Sequence, residues 1–334
     1  VALSLTSRLL GPGGVDDGAY FARVIHRLRA ERDLLDRFRG RTHIVEQTTR
    51  GHRLLFGGDS PQRKREALDP PERPTEYRAA LEEIGAPVVS IARCETKTWF
   101  EGPVIGAAVR TAVVARLAEH CVDLTQLDRI GVIGFGTVGR EVFLRLATLL
   151  PDASIDVIEC DRKKHFKIKA DGGRPLSRLP CRGDYQLLVG CTGYTSFDVE
   201  DRRCLAKSAT LISCSSAAVE FNRMRFVEKA NELPNDEFEI RSPEPGSGDI
   251  RATISFTDGY RTIEFLHAGF PVNFDGEMEH IPYRFIQVTH ALLYAAAMQA
   301  LEVEGPELQW IAPATDEWVL EQALRSLEDD HPGL

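Results

Sequence analysis

The chain has 334 residues, 43% of them hydrophobic and 27% charged, with a net charge of −9. That is enough for two domains and a large core. Acidic and basic residues are interspersed, which argues against a nucleic-acid-binding surface, and no apolar run approaches a membrane span.

The opening stretch, VALSLTSRLLGPGG, is too short and too polar-flanked for a secretory signal. It has no initiator Met, so upstream residues are expected to have been removed or left out. Residues 16–40 carry apolar positions at helical spacing and predict a helix. THIVEQTT predicts a short strand and turn, and the polar, proline-rich residues 57–77 an exposed loop or insertion. APVVSIAR predicts a strand and VIGAAVRTAVVARLAEH a long helix. From Ile130 onward, the runs GVIGF, SIDVIEC, YQLLVGCT and ATLISCS alternate with helical or loop segments. This pattern predicts a parallel, doubly wound sheet. TISF and RTIEFL extend it, and Gly-Ser-Gly at 246–248 marks a turn. YRFIQVTHALLYAAAMQALEV is apolar nearly all round and predicts a buried helix, while SLEDDHPGL reads as a frayed acidic tail. The seven cysteines include no CxxC pair, and Cys160, Cys191 and Cys214 lie in strand-like apolar contexts. Buried, reduced thiols in a cytoplasmic protein are expected, with neither disulfides nor a metal site.

The stretch Ile130–Arg140, IGVIGFGTVGR, carries the most chemistry. An apolar strand runs into Gly134, Gly136 and Gly139, and a helical pattern follows. The first glycine allows a tight turn, the second lets backbone approach a pyrophosphate, and the third lets the helix pack on the strand. Thr137 and Val138 begin the helix whose unpaired N–H groups would face the phosphates. Glu159 ends the next strand about 25 residues past the first glycine, near the usual place of a ribose-diol ligand. A carboxylate there favours NAD over NADP, whose 2'-phosphate it would repel.

Four polar segments stand apart: VDDG (Val15–Gly18), VEQTTRGH (Val45–His52), ETKTWFEG (Glu95–Gly102) and VNFDGEMEH (Val272–His280). Read singly, each is a turn, a cap or an i,i+4 ion pair. Taken in order with the glycine loop, they give a chain that resembles the S-adenosylhomocysteine hydrolase family over Asp16 to Leu301. DDGAYFARVIH echoes that family's DDGGDLTNLIH, EQTTRGH its ETTTGVH, and KTWFEG its KSKFDN. GFGTVGRE echoes GYGDVGKG, VGCTG at 189–193 echoes VTTTG, and AGFPVNFDGEMEHIP echoes EGRLVNLGCAMGHP.

The resemblance implies roles. Gly134, Gly136, Thr137, Val138, Gly139 and Glu159, with Thr192 and Gly193, would hold tightly bound NAD. Thr48 and Thr49 would reach its nicotinamide half and Asn273 its carboxamide. Glu46 would bond the substrate ribose, and Lys97 would take the 3'-hydroxyl proton as hydride leaves. Glu101 replaces the family's aspartate facing the ribose hydroxyls. Asp17, or Asp16 in a shifted register, matches an aspartate near C4', and His280 a histidine beside the nucleoside.

Three departures matter. The family's N-terminal substrate-domain portion and its basic C-terminal tail have no counterpart among these residues. The family's CNIGHFDVEI reads SCSSAAVEF, with Ser216 where the family has a histidine. Gly102 also replaces an asparagine. The implied fold is a Rossmann-type NAD domain at 112–275 plus a smaller, truncated α/β substrate-side domain of 1–111 and 276–334, with the active site between them. The implied enzyme oxidises a nucleoside or related sugar 3'-hydroxyl transiently, eliminates, dehydrates or epimerises at C4'/C5', and returns the hydride. Its partners would be a nucleoside-like small molecule and further copies of itself. The alternatives are a true S-adenosylhomocysteine hydrolase, a simple NAD-dependent dehydrogenase and a catalytically silent NAD-binding regulator.

Overall fold

A computed structural model describes residues 43–46, 82, 85–120, 122–215, 220–222, 225–226, 228, 237–241, 253–258, 260–273, 281 and 283–330. The helix predicted over 16–40, the polar stretch 57–77 and the Gly-Ser-Gly turn lie outside the described residues. In chain order the elements are β1 (Ile44–Glu46), β2 (Val88–Ser90), a π-helical turn (Lys97–Glu101), α1 (Gly102–Glu119), β3 (Arg129–Ile133), α2 (Thr137–Leu149) and β4 (Ser154–Ile158). Then come α3 (His165–Ala170), β5 (Arg174–Leu176), β6 (Tyr185–Gly190), β7 (Leu205–Ser213), β8 (Glu237–Arg241), β9 (Thr253–Thr257), β10 (Thr262–Phe265), α4 (Tyr283–Glu302), β11 (Leu308–Trp310) and α5 (Pro313–Asp330). The chain divides into two compact units. Of the described residues, one contains those from Gly102 to Ile281, and the other those before Gly102 together with those from Tyr283 onward.

The first unit is built on an eight-stranded sheet in the order β5-β4-β3-β6-β7-β10-β9-β8. From β5 to β10 every pairing is parallel, and β9 turns antiparallel between β10 and β8. The strand order reverses between β3 and β6, the switch point at which open α/β sheets bind ligands. β3, β4 and β6 are buried almost throughout, as continuous apolar strands covered on both faces must be. One core joins Val109, Val113 and Leu117 of α1 and Val142, Phe143 and Leu146 of α2 to Ile130, Val132 and Val157. The other gathers Phe197, Phe221, Phe226, Phe256 and Phe265. Their rings meet largely edge to face, with centroids 5.0 Å apart for Phe226 and Phe265.

The second unit has a three-stranded parallel sheet, β1-β2-β11. It packs Val89 and Ile91 against Val288, Leu292, Ala296 and Ala300 of α4 and Val319 of α5. Two sequence expectations fail here. α4 is not buried all round: Tyr294, Met298 and Leu301 are exposed, because the small sheet covers only the side that carries Leu292, Ala296 and Ala300. The acidic end is not a frayed tail as far as Asp330, since it continues α5, whose Pro313 has the fixed φ suited to a helix start. The expectation of buried thiols also holds only in part. Cys94, Cys204 and Cys214 are buried, but Cys160 and Cys181 are exposed, Cys160 standing just past the end of β4. No described helix is long and apolar enough to cross a membrane.

One buried charge ties the sheet together. Asp156, fully buried in β4, accepts from Tyr185 Oη at 2.7 Å, from Arg174 Nη2 at 2.6 Å and from Arg129 Nη2 at 3.2 Å. Burial raises the Asp156 carboxyl, but these donors outweigh it and hold it below the usual carboxylate range. Its folded-state value is depressed, so its contribution is present above the unfolded value and is lost as pH falls. Asp156→Ala is expected to cost about 3 kcal/mol at pH 7. The gap in urea midpoint between variant and wild type should shrink once pH drops below about 4.

Candidate functional site

β3 leaves the sheet at its switch point, and the chain turns through Gly134 at φ +95°. Only glycine takes that conformation readily. A methyl group at Gly139 would sit 2.1 Å from Gly134 O, so α2 lies directly against the turn. Gly136 differs from both, because a methyl there would meet nothing within 4 Å. Gly136 is the N-cap of α2, offers no side-chain cap, and receives Arg140 N on its carbonyl at 3.0 Å. The N–H groups of Thr137, Val138 and Gly139 therefore have no carbonyl one turn back. Open space over Gly136 and a helix start that brings its own partial positive charge are the two features that binding a phosphate requires.

Glu159 closes one side of this loop. Its Oε2 accepts from Phe135 N at 2.9 Å and lies 3.2 Å from Lys164 Nζ, and its Oε1 accepts from Asp161 N at 2.9 Å. Burial pushes its carboxyl up, but the two backbone donors and the ammonium outweigh burial and leave it below the usual range.

The other side is the segment after β6. Cys191 N bonds Ile133 O at 2.8 Å, and the Cβ that Gly134 lacks would come within 3.0 Å of Cys191 O and of Thr192 Cγ2. Thr192 and Gly193 thus stand beside the glycine turn. They are held by Glu220, a residue that sequence reasoning missed. Fully buried, Glu220 accepts from Thr192 N and Gly193 N, each at 2.5 Å, and Ser196 Oγ lies 2.6 Å from its Oε2. Thr192 Oγ1 is 2.9 Å from both Tyr194 O and Glu220 Oε2. One hydroxyl proton cannot serve both acceptors, so a proton on Glu220 completes the set. Burial pushes Glu220 up to about 7, against the pull of these same donors.

Asn273 follows at the same edge of the sheet. Val272 N bonds Ser213 O, at the end of β7, at 3.0 Å. The Asn273 Oδ1 is buried and, among the described residues, has no hydrogen-bond partner. Just upstream, His267, Ala268 and Gly269 take φ values of +51°, +49° and +77°. Three left-handed residues in a row, two of them not glycine, are costly and survive only where packing enforces them.

The smaller unit holds a second cluster. Lys97 and Glu101 form an ion pair, Nζ to Oε2 3.0 Å, with side chains only 15% and 16% exposed. They sit at the two ends of the π-helical turn, a geometry frequent at functional sites. Asp316, buried at the start of α5, accepts from Glu95 N at 2.6 Å and Thr96 N at 3.3 Å, and Thr96 Oγ1 donates to Asp316 O at 2.9 Å. Glu46 is buried at the end of β1, where its carbonyl accepts from Ile91 N at 2.8 Å. The predicted residues Asp16, Asp17, Thr48, Thr49 and His280, and the substituted Ser216, lie outside the described residues. Among the described residues, no group of three or more His, Cys, Asp or Glu gathers as metal ligands.

No protein-family model matches the chain. It is 28% identical over 225 residues, 67% of its length, to the uncharacterized proteins MT0113 and Rv0104 of Mycobacterium tuberculosis. The match spans 39% of those relatives' length. Among solved structures it is similar to a dipicolinate synthase of Bacillus halodurans, at 12% identity and TM-score 0.35 over 45% of this chain and 51% of that one. The dipicolinate synthase of Bacillus subtilis gives 13% identity and TM-score 0.36 over 59% and 57%. A formate dehydrogenase from Granulicella gives 14% and 0.31 over 46% and 45%. The strand order of the larger sheet, reversing between β3 and β6, is itself that of a doubly wound α/β sheet.

The Glu220 anchor has a measurable signature. Its value in the fold lies above that of an unfolded glutamate, about 4.3. The stability it contributes is therefore full below that value and lost as pH rises through about 7. Glu220→Gln supplies an amide in place of the protonated acid and should fold with a loss below about 1 kcal/mol at pH 5. Relative to wild type it should gain stability between pH 5 and pH 8. Glu220→Ala leaves the N–H groups of Thr192 and Gly193 unpaired and should cost about 2–4 kcal/mol at pH 5. Chemical denaturation across that pH range checks both.

Proposed function

We propose that the chain is an NAD-dependent enzyme, related to the S-adenosylhomocysteine hydrolases, that works by an internal redox cycle. Its substrate would be a nucleoside or related sugar, oxidised transiently at the 3'-hydroxyl so that elimination, dehydration or epimerisation can follow at C4'/C5'. The observation that carries this reading is the glycine turn at the switch point, with its open approach at Gly136 and uncapped helix start. The Oδ1 of Asn273, which has no partner among the described residues, fits the carboxamide of a nicotinamide ring, whose NH2 would supply a donor. The cofactor supplies a hydride acceptor that later gives the hydride back, so nothing is consumed over one turnover.

The protein groups account for the remaining steps. Lys97, half-buried against Glu101, takes the hydroxyl proton as the carbon is oxidised. Glu101 and Glu46 hold ribose hydroxyls. A ketone at C3' makes the neighbouring C4' proton acidic, and Asp17 or Asp16 takes it, while His280 lies beside the nucleoside. Hydrogen bonds that strengthen as enolate charge develops supply much of the rate. Ser216 stands where the family has a histidine, so the substrate proposed is not S-adenosylhomocysteine. The catalyst is proposed to work in the cytoplasm as a homo-oligomer.

Denaturing the purified protein should release NAD. Incubation with nucleosides in D2O should exchange the C4' proton without net absorbance at 340 nm. A simple dehydrogenase would accumulate NADH instead, and a silent regulator would bind NAD without exchange. Lys97→Ala should lower exchange about 10²–10⁴-fold. Gly136→Ala, whose methyl meets only open space, should melt at the temperature of the nucleotide-free wild type and lose dinucleotide. A Gly136→Ala protein that binds NAD normally would remove the phosphate seat from the reading.

A further inference from the structure

Glu159 is the feature from which NAD is expected over NADP. A lone carboxylate at the end of this strand repels a 2'-phosphate. Glu159 is not alone. Both of its oxygens are engaged by the backbone, Oε2 by Phe135 N and Oε1 by Asp161 N, each at 2.9 Å. Its side chain is 7% exposed, whereas that of Lys164, at 3.2 Å, is 42% exposed. The carboxylate is turned in against the glycine loop, and the ammonium faces out.

The turn that follows continues the trend. Arg162 and Lys163 are exposed, and the acid beside them, Asp161, uses Oδ1 to cap Lys163 N at 3.0 Å. From Glu159 to Lys164 there are two acids and three bases, a net charge of +1. The stretch that would face a ribose 2'-position is therefore cationic on balance, with its one buried acid already satisfied by backbone.

We infer that the adenosine end of this site accepts a 2'-phosphate, with Lys164, Arg162 and Lys163 as its counter-charges, so that NADP binds as well as NAD. The inference rests on the reading of the glycine turn as a dinucleotide site. Lys164 is the selector. Leaving Glu159, it costs that carboxylate its one ammonium partner, and the two backbone N–H donors and the Cys160 thiol remain. Arginine and lysine both bind phosphate by charge-assisted hydrogen bonds. Because these are exposed cations, their effect must weaken with salt.

The test is calorimetric titration of the full chain, first freed of any co-purified nucleotide, with NAD and, separately, with NADP, at low and at physiological ionic strength. NADP is expected to bind within about tenfold of NAD and to lose more affinity than NAD as salt rises. Lys164→Ala should weaken NADP by about tenfold or more and change NAD by less than about threefold. Lys163→Glu, at an exposed position, should act in the same direction and guards against a folding defect in the first variant. If NAD binds but NADP is weaker by more than about tenfold, the inference is overturned while the dinucleotide reading stands. It is equally overturned if Lys164→Ala weakens both alike. If neither nucleotide binds, the dinucleotide reading itself fails, and this inference with it.

Discussion

The contact on which the larger unit depends is that between Gly139 and the carbonyl of Gly134. With room for no atom beyond hydrogen at Gly139, the first turn of α2 is set directly on the end of β3. Three things follow from that one approach. The N–H groups of the helix start are aimed over the sheet's switch point. Phe135 N is brought to Glu159, which binds the end of β4 into the loop. Cys191 and Thr192, just past the end of β6, are brought against Gly134, so the turn is walled from the β4 side and from the β6 side.

The walls are not equivalent. On the β4 side a carboxylate is kept ionised by two backbone donors and a lysine. On the β6 side Glu220 is buried deeply enough that a proton costs it little near neutrality, although it holds the backbone by the same kind of bond. The difference is solvent and a cation. Glu159 lies beside an ammonium at the protein's edge, and Glu220 is enclosed among hydroxyls and N–H groups. Similar donor counts thus yield opposite displacements, and burial decides which.

The parallel strands and the glycine turn were legible because both obey local rules. Strands of the β3 and β4 kind are short, apolar runs bounded by turn residues, and glycines at that spacing have few other uses. The lysine–acid pair was legible as a spacing of four, though the sequence cannot distinguish a π-helical turn from an ordinary one. Glu220 was not legible, since in AVEF it is one acid in an apolar stretch, and its partners are a loop 24 to 28 positions earlier. α5 is hard to read because its acidic residues mask its amphipathic spacing. The outward face of α4 is not legible because alanine-rich composition does not say how wide a surface the neighbouring sheet can cover. Short edge strands such as β5 and β11, three residues each, carry too little pattern to be read without their partners.

The grip of Asp316 on Glu95 and Thr96 spans 221 and 220 positions. β11, which pairs with β2, comes equally late. On the ribosome, where a chain emerges from its N-terminus, the large sheet can close as soon as its own strands have been made. The segment bearing Lys97 is among the first described pieces to appear and among the last to find its support. A message cut short before Pro313 would thus yield a nascent product with an intact glycine turn and a lysine segment lacking its anchor.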